Sequence, residues 1–162
     1  VAGAPATMAQ NRFCFAQPKE RRMKILLPVD GSEYTQRTLA YIAAHDELLG
    51  PGHDYVAVNV VAPVPARAAS FIDRATLDGY YTEQAEQVFE PIRAFAAQKG
   101  WKLKTVHVVG HAADSIAHCA EQEHAALIVM GAHGHGALAS ALLGSVTTGV
   151  LARCKTPVLI VR

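Results

Sequence analysis

The chain has 162 residues, 51% of them hydrophobic and 18% charged, with a formal net charge of +1. Such a length is a soft prior for one domain burying roughly 70% of its unfolded surface, and the composition suits a compact α/β protein rather than a disordered one. The near-neutral balance gives no global reason to expect nucleic acid or a membrane surface as partner, and no apolar run approaches the about 18 residues of a membrane span.

Residues 1–22 mix Ala, Gly, Pro and Gln with Arg12, Lys19, Arg21 and Arg22, without periodicity and without the apolar core of a secretory signal. They read as an extension of unknown role, such as an arm packing on a neighbour, with the domain expected from Met23 to Arg162. Lys24 to Asp30 is expected to form the first strand, its run Ile25-Leu26-Leu27 ending at Pro28. Asp30-Gly31-Ser32 then turns into a helix capped by Asp30 or Ser32, with Leu39, Ile42 and Ala43 inward and Gly50-Pro51-Gly52 as its stop. Tyr55 to Val61, rich in β-branched residues, is the second strand.

A long connection is expected over Pro63 to Thr76. Helical spacing follows through Ala85, Val88, Phe89, Ile92, Phe95 and Ala96, with a kink or break expected at Pro91. Lys102 to Val109 is the third strand, and a helix with Ile116, Ala117 and Ala120 inward follows Gly110. Ala126 to Met130 is the fourth strand, Ser145 to Arg153 the last helix and Pro157 to Val161 the fifth strand. Strand and helix patterns alternate throughout, the signature of a parallel sheet covered by helices on both faces. Ligands of such sheets bind beyond the carboxyl ends of the strands, where the strand order reverses. If the first and fourth strands flank that point, Asp30 and Gly131 share one crevice.

Cys14, Cys119 and Cys154 are odd in number and lack CxxC spacing, which argues against a disulfide scaffold or zinc site and fits a reducing, cytoplasmic compartment. Cys119 and Cys154 read as small core residues.

The most informative stretch runs from Leu127 to Thr148. A buried apolar strand breaks at Gly131, Gly134 and Gly136, and the chain resumes at Gly144-Ser145 with a helix start. Amides left free by such a turn and by the first helical residues make an anion site, which the helix dipole favours. Taken singly, the glycines are equally accounted for by a tight turn. Their spacing resembles the signature Gly-x2-Gly-x9-Gly-Ser/Thr of ATP-binding universal stress proteins.

The resemblance extends from Met23 to Arg162 and includes Met-Lys-Ile-Leu-Leu-Pro-Val-Asp-Gly-Ser-Glu, Leu-Ile-Val-Met-Gly, Gly-Ser-Val-Thr and the closing Pro-Val-Leu-Ile-Val. It implies a single-domain, Rossmann-like open sheet of five parallel strands in the order 3-2-1-4-5. It also implies a homodimer joined through the last strands, and a stress-response module binding ATP and Mg²⁺. By matching position, Pro28, Val29 and Asp30 would line the adenosine side, with Asp30 near ribose or metal. Val60 would offer backbone groups to adenine, and Met130 and Gly131 would continue the floor. His133 would be a loop donor, and Gly134, Gly144, Ser145, Val146 and Thr147 would hold phosphates through amides and hydroxyls. Two positions depart from the pattern: Ala126 stands where members often carry Asp, and His135 where many carry Arg. The second change removes a fixed positive charge and leaves more to Mg²⁺ and the amides.

Rival readings are weaker. Gly134-His135-Gly136-Ala137-Leu138-Ala139 fits a dinucleotide pattern, but no acidic residue follows Glu123 to hold a ribose. No Gly-Lys-Ser/Thr occurs in the glycine stretch. The pairs His133/His135 and His107/His111 lack zinc-motif spacing. No recognisable general base accompanies Asp30, so at most slow Mg²⁺-dependent ATP hydrolysis or autophosphorylation is expected. The alternative to a nucleotide-binding regulator is a nucleotide-free dimeric interaction protein of the same fold. Its protein partner, like the regulator's, is unspecified.

Overall fold

A computed structural model describes residues 22–136 and 142–162. The extension through residue 21, Cys14 within it, and residues 137–141 lie outside the described residues. The elements are β1 (Lys24–Pro28), α1 (Glu33–Ala44), α2 (Asp46–Leu49), β2 (Asp54–Val61), α3 (Ala66–Ala69), α4 (Arg74–Gln98), β3 (Lys102–Val109), α5 (Ala112–Gln122), β4 (Leu127–Gly131), α6 (Ser145–Arg153) and β5 (Val158–Val161). The five strands pair only in parallel, in the order β3-β2-β1-β4-β5.

Side-chain alternation along each strand divides the core between two faces. Ile25, Leu27, Tyr55, Ala57 and Val129 pack on one side with Ile42 of α1 and Ala85, Phe89, Ile92 and Ala96 of α4. Leu26, Val56, Val58, Ile128 and Met130 pack on the other with Ile116, Cys119 and Ala120 of α5 and Val150 of α6. The central strands therefore read as unbroken apolar runs, because both faces are covered. Trp101 stacks on Tyr55 with ring centroids 4.8 Å apart, closing the bottom of the first layer. No helix of the described residues is long and apolar enough to cross a membrane.

Three local expectations are corrected. The first helix does not run to Gly50: His45 interrupts it, its amide bonding the Ile42 carbonyl, and the short α2 follows. The connection after β2 is not all loop, since α3 forms within it and α4 begins at Arg74, with Asp73 capping through its side chain to the Thr76 amide. Pro91 does not break α4, which is continuous from Arg74 to Gln98. Pro91 and Gln87, whose carbonyl loses its helical donor to the proline, both lie on the exposed face of α4. Cys119 is buried in α5, and Cys154 is half-buried just past α6.

Candidate functional site

With β1 beside β4 and their crossovers leading to opposite faces, the strand order reverses between these two strands. A cleft of about 200 Å³ opens there, beyond their carboxyl ends. It gathers Pro28, Val29, Asp30, Val60, Met130, Gly131, His133, Gly134, Gly144, Ser145, Val146 and Thr147 from segments up to 119 residues apart in sequence. Asp30 and Gly131 line the same crevice.

The β1–α1 turn makes one wall. Gly31 adopts φ +78°, a left-handed conformation suited to glycine, and lets the chain enter α1 at Ser32. Ser32, not Asp30, is the cap; its hydroxyl accepts from the Thr35 amide at 3.4 Å. Asp30 is instead locked by the same turn. Its Oδ1 accepts from the Ser32 amide at 3.0 Å and the Thr35 hydroxyl at 2.8 Å, and its own amide donates to Thr35 Oγ1 at 3.1 Å. Burial works to raise the Asp30 pKa, but bonds from Ser32 and Thr35 and the charge of His135 outweigh it and hold the carboxyl below its ordinary value. The second oxygen, Oδ2, faces Gly134, where any Cβ would press against it.

The β4–α6 loop makes the opposite wall. A Cβ on Gly131 would meet Tyr34 Cβ at 2.7 Å, so this glycine is needed for α1 to lie close to the end of β4. The Gly144 amide donates to the Ala132 carbonyl at 2.8 Å, folding the loop back before α6. The first helical bond of α6 runs from Thr148 N to Gly144 O at 3.0 Å, and Gly144 has no side chain to cap with. The amides of Ser145, Val146 and Thr147 precede that bond and have no helical acceptor. Thr147 departs from the expectation of a phosphate-binding hydroxyl. Its side chain is buried and donates to the Gly131 and Ala132 carbonyls at 3.1 and 3.2 Å, so it fastens α6 to β4 and leaves only its amide for a ligand.

Val60 stands at the apolar end. The Val58 carbonyl accepts from Val29 N on the β1 side, and the Val61 carbonyl from Gly110 N on the β3 side. Strand alternation therefore turns the N–H and C=O of Val60 toward β1, which has already ended at Pro28. Buried Asn59 steadies this corner by donating to the Val29 carbonyl at 2.8 Å.

Sequence reasoning missed Thr35, Val58, Ala112, Ile116 and Gly136 as lining residues. Ala112 and Ile116 begin α5 just beyond the carboxyl end of β3, so the rule that located Asp30 also points to them. His135, noted only as a departure, lines the cleft and sets Nε2 2.8 Å from the Asp30 carbonyl. His133 lies against the Tyr34 ring, centroids 5.3 Å apart, and its buried Nδ1 has no partner among the described residues.

No group of three or more His, Cys, Asp or Glu residues with metal-site geometry occurs among the described residues. His107 and His111 do not line the cleft. One carboxylate oxygen without a hydrogen-bond partner among the described residues, Asp30 Oδ2, fits Mg²⁺ only as a cation shared with phosphate oxygens and water, the usual manner of that ion.

The profile of the Universal stress protein family matches residues 21–162. A universal stress protein of Thermus aquaticus is 34% identical, the alignment covering 85% of this chain and 97% of that protein. Universal stress protein MJ0577 of Methanocaldococcus jannaschii is 29% identical over 86% of this chain and 94% of its own. A solved structure of MJ0577 superposes with a TM-score of 0.73 over the same shares. The chain spans about half the length of a Synechocystis relative 30% identical to it, 46% of that protein. Three structures at 13–23% identity and TM-scores of 0.58–0.62 share the fold: a universal stress protein in complex with cAMP, one from Archaeoglobus fulgidus in complex with dAMP, and one from Arabidopsis thaliana with AMP bound. The chain belongs to the universal stress protein family.

Proposed function

We propose that this universal stress protein is a cytoplasmic nucleotide-binding regulator, taking ATP with Mg²⁺ in the cleft between β1 and β4, and that residues 23–162 are its functional unit. The observation that carries the reading is the convergence, at the sheet's reversal point, of a glycine loop, the uncapped amino terminus of α6 and a locked carboxylate. Phosphate groups accept from the amides of Ser145, Val146 and Thr147 and from the loop around Gly134, aided by the α6 dipole. The free Asp30 oxygen holds a ribose hydroxyl or shares Mg²⁺ with the phosphates. The Val60 backbone meets the adenine edge, with Pro28, Val29, Met130 and Gly131 as apolar floor and His133 as a donor. Solved structures of this fold described with cAMP, dAMP and AMP agree with that ligand class.

A homodimer through β5 completes the proposal. The β3 edge exposes Lys102, Lys104 and His107, charges that discourage pairing, whereas the opposite edge, Val158–Val161, is wholly apolar, with Val158, Leu159 and Ile160 only partly buried. Ligand binding would act on a protein partner through the dimer or the segment over Pro63 to Thr76.

The test is calorimetric titration of nucleotide-stripped protein with ATP and Mg²⁺, with AMP and NADH as comparison ligands and sedimentation for the dimer. The expected result is saturable binding near one ATP per chain and no response to NADH. No heat and no thermal stabilisation at millimolar ATP would overturn the reading and leave a nucleotide-free interaction protein.

A further inference from the structure

Between Glu123 and Arg153 the sequence contains no Asp, Glu, Lys or Arg. The glycine loop and most of α6 therefore offer an anion backbone amides, hydroxyls and imidazoles, and nothing with a permanent positive charge. Among the described residues, the rest of the cleft does not supply one. Its lining among the described residues includes no lysine or arginine, and its one acid is Asp30, whose free Oδ2 faces the loop at Gly134. Sites for polyphosphates ordinarily set Lys, Arg or a metal ion against the charge that each added phosphate brings.

We infer that this cleft selects its nucleotide by charge: it takes a nucleoside bearing a single phosphate, cyclic or terminal, in preference to free polyphosphate, and admits a triphosphate only with a divalent cation. The inference rests on the nucleotide reading above and specifies its ligand. A helix amino terminus carries the equivalent of about half a positive charge, enough to complement one phosphate group but not a chain of them. A longer phosphate chain gains no further cation from the described lining, and the one acid there, Asp30, sets Oδ2 against the loop at Gly134. Mg²⁺ changes this balance by neutralising the chain and turning Asp30 Oδ2 from a repelling group into a partner.

His135 is the position that decides the matter. Its Nε2–H donates to the Asp30 carbonyl at 2.8 Å, so the exposed ring lines the cleft beside Gly134, tied to the β1–α1 turn. The β1–α1 turn presents Asp30 to it and its own loop His133; the starts of α5 and α6 bring Ala112, Ile116, Ser145 and Val146 to the same cleft without charge. An arginine here would add a permanent planar cation; histidine does not.

The experiment is a calorimetric series on the full, nucleotide-stripped chain at about pH 8, above the ordinary imidazole range. The ligands are cAMP, AMP, ADP and ATP, first with EDTA and then with Mg²⁺, on the wild type and the H135R and H135Q variants. In EDTA, ATP should bind at least about tenfold more weakly than AMP, a difference of about 1.4 kcal/mol. Mg²⁺ should recover most of that loss for ATP and leave cAMP unchanged. H135R should tighten free ATP more than AMP or cAMP, and H135Q should keep the wild-type ranking. Free ATP binding as tightly as AMP, or H135R shifting all ligands equally, would overturn charge selection while leaving the nucleotide reading standing. No binding by any ligand in either condition would overturn both.

Discussion

At the amino-terminal edge of the sheet, Arg22 and Lys102 converge on Asp54, and Lys24 and Lys104 converge on Glu123. At the carboxyl-terminal edge, the cleft-lining residues bring a single carboxylate and a set of amides without helical partners. In a parallel sheet all strands begin on one side and end on the other, so one edge can be spent on holding the strands together and the other left chemically open. Here the permanent charges neutralise each other at the closed edge. The open edge relies on backbone dipoles, and substitutions at the two edges should therefore separate binding from stability.

The largest effect is expected from Gly134→Val. Its side chain would press on Asp30 Oδ2 and fill the space for a phosphate, weakening nucleotide binding by about a hundredfold or more, roughly 2.7 kcal/mol. Calorimetry should show that loss while the melting curve stays close to wild type; unchanged affinity would remove the loop from the site. Thr147→Val keeps the shape but removes the hydroxyl donor to the half-buried Gly131 carbonyl, while the Ala132 carbonyl keeps the Gly144 amide. Urea unfolding should register a loss of about 1–3 kcal/mol, accompanied by weaker binding because the start of α6 is loosened. Ser32→Ala removes the α1 cap and should cost about 1 kcal/mol in the same assay.

The closed edge should respond in the opposite sense. Lys104→Ala breaks one of two partly exposed ion pairs on Glu123 and should change stability by at most about 1 kcal/mol, less in high salt, with no change in nucleotide affinity. The Arg22 guanidinium beside Asp54, and Lys104 and Lys24 beside Glu123, hold both carboxyls below their ordinary range. Carboxyls depressed in the fold stabilise it above their unfolded pKa, and that contribution disappears as pH falls through the folded values. Acid titration of unfolding should therefore show stability declining below about pH 4. Asp54→Asn should shallow that decline slightly.

Much of this division was legible in the residues themselves. Ile25-Leu26-Leu27 and Leu127 to Met130 read as central strands because burial on both faces demands continuous apolar runs. Gly131, Gly134 and Gly144 stood out because their spacing ties a strand end to a helix start. The strand order came from family resemblance, since alternating strands and helices do not say on which side of β1 the chain returns. The role of Thr147 was hidden for a different reason: a hydroxyl at a helix start can face a ligand or the preceding strand, and only the close approach of α6 to β4 decides between them. Pro91 misled because the damage a proline does depends on whether the freed carbonyl reaches water. The lining role of Ala112 and Ile116 was missed because apolar residues at a helix start carry no chemical mark.

The central claim is that a nucleotide occupies the open edge. Amide chemical-shift mapping of the isotopically labelled chain, titrated with AMP and with ATP plus Mg²⁺, tests it residue by residue. The account predicts saturable shifts at the amides of Asp30, Val60, Gly131, Gly134 and Ser145 to Thr147, with Lys24, Asp54, Lys102 and Lys104 unmoved. Shifts confined to the closed edge, or no shifts at saturating ligand, would contradict it.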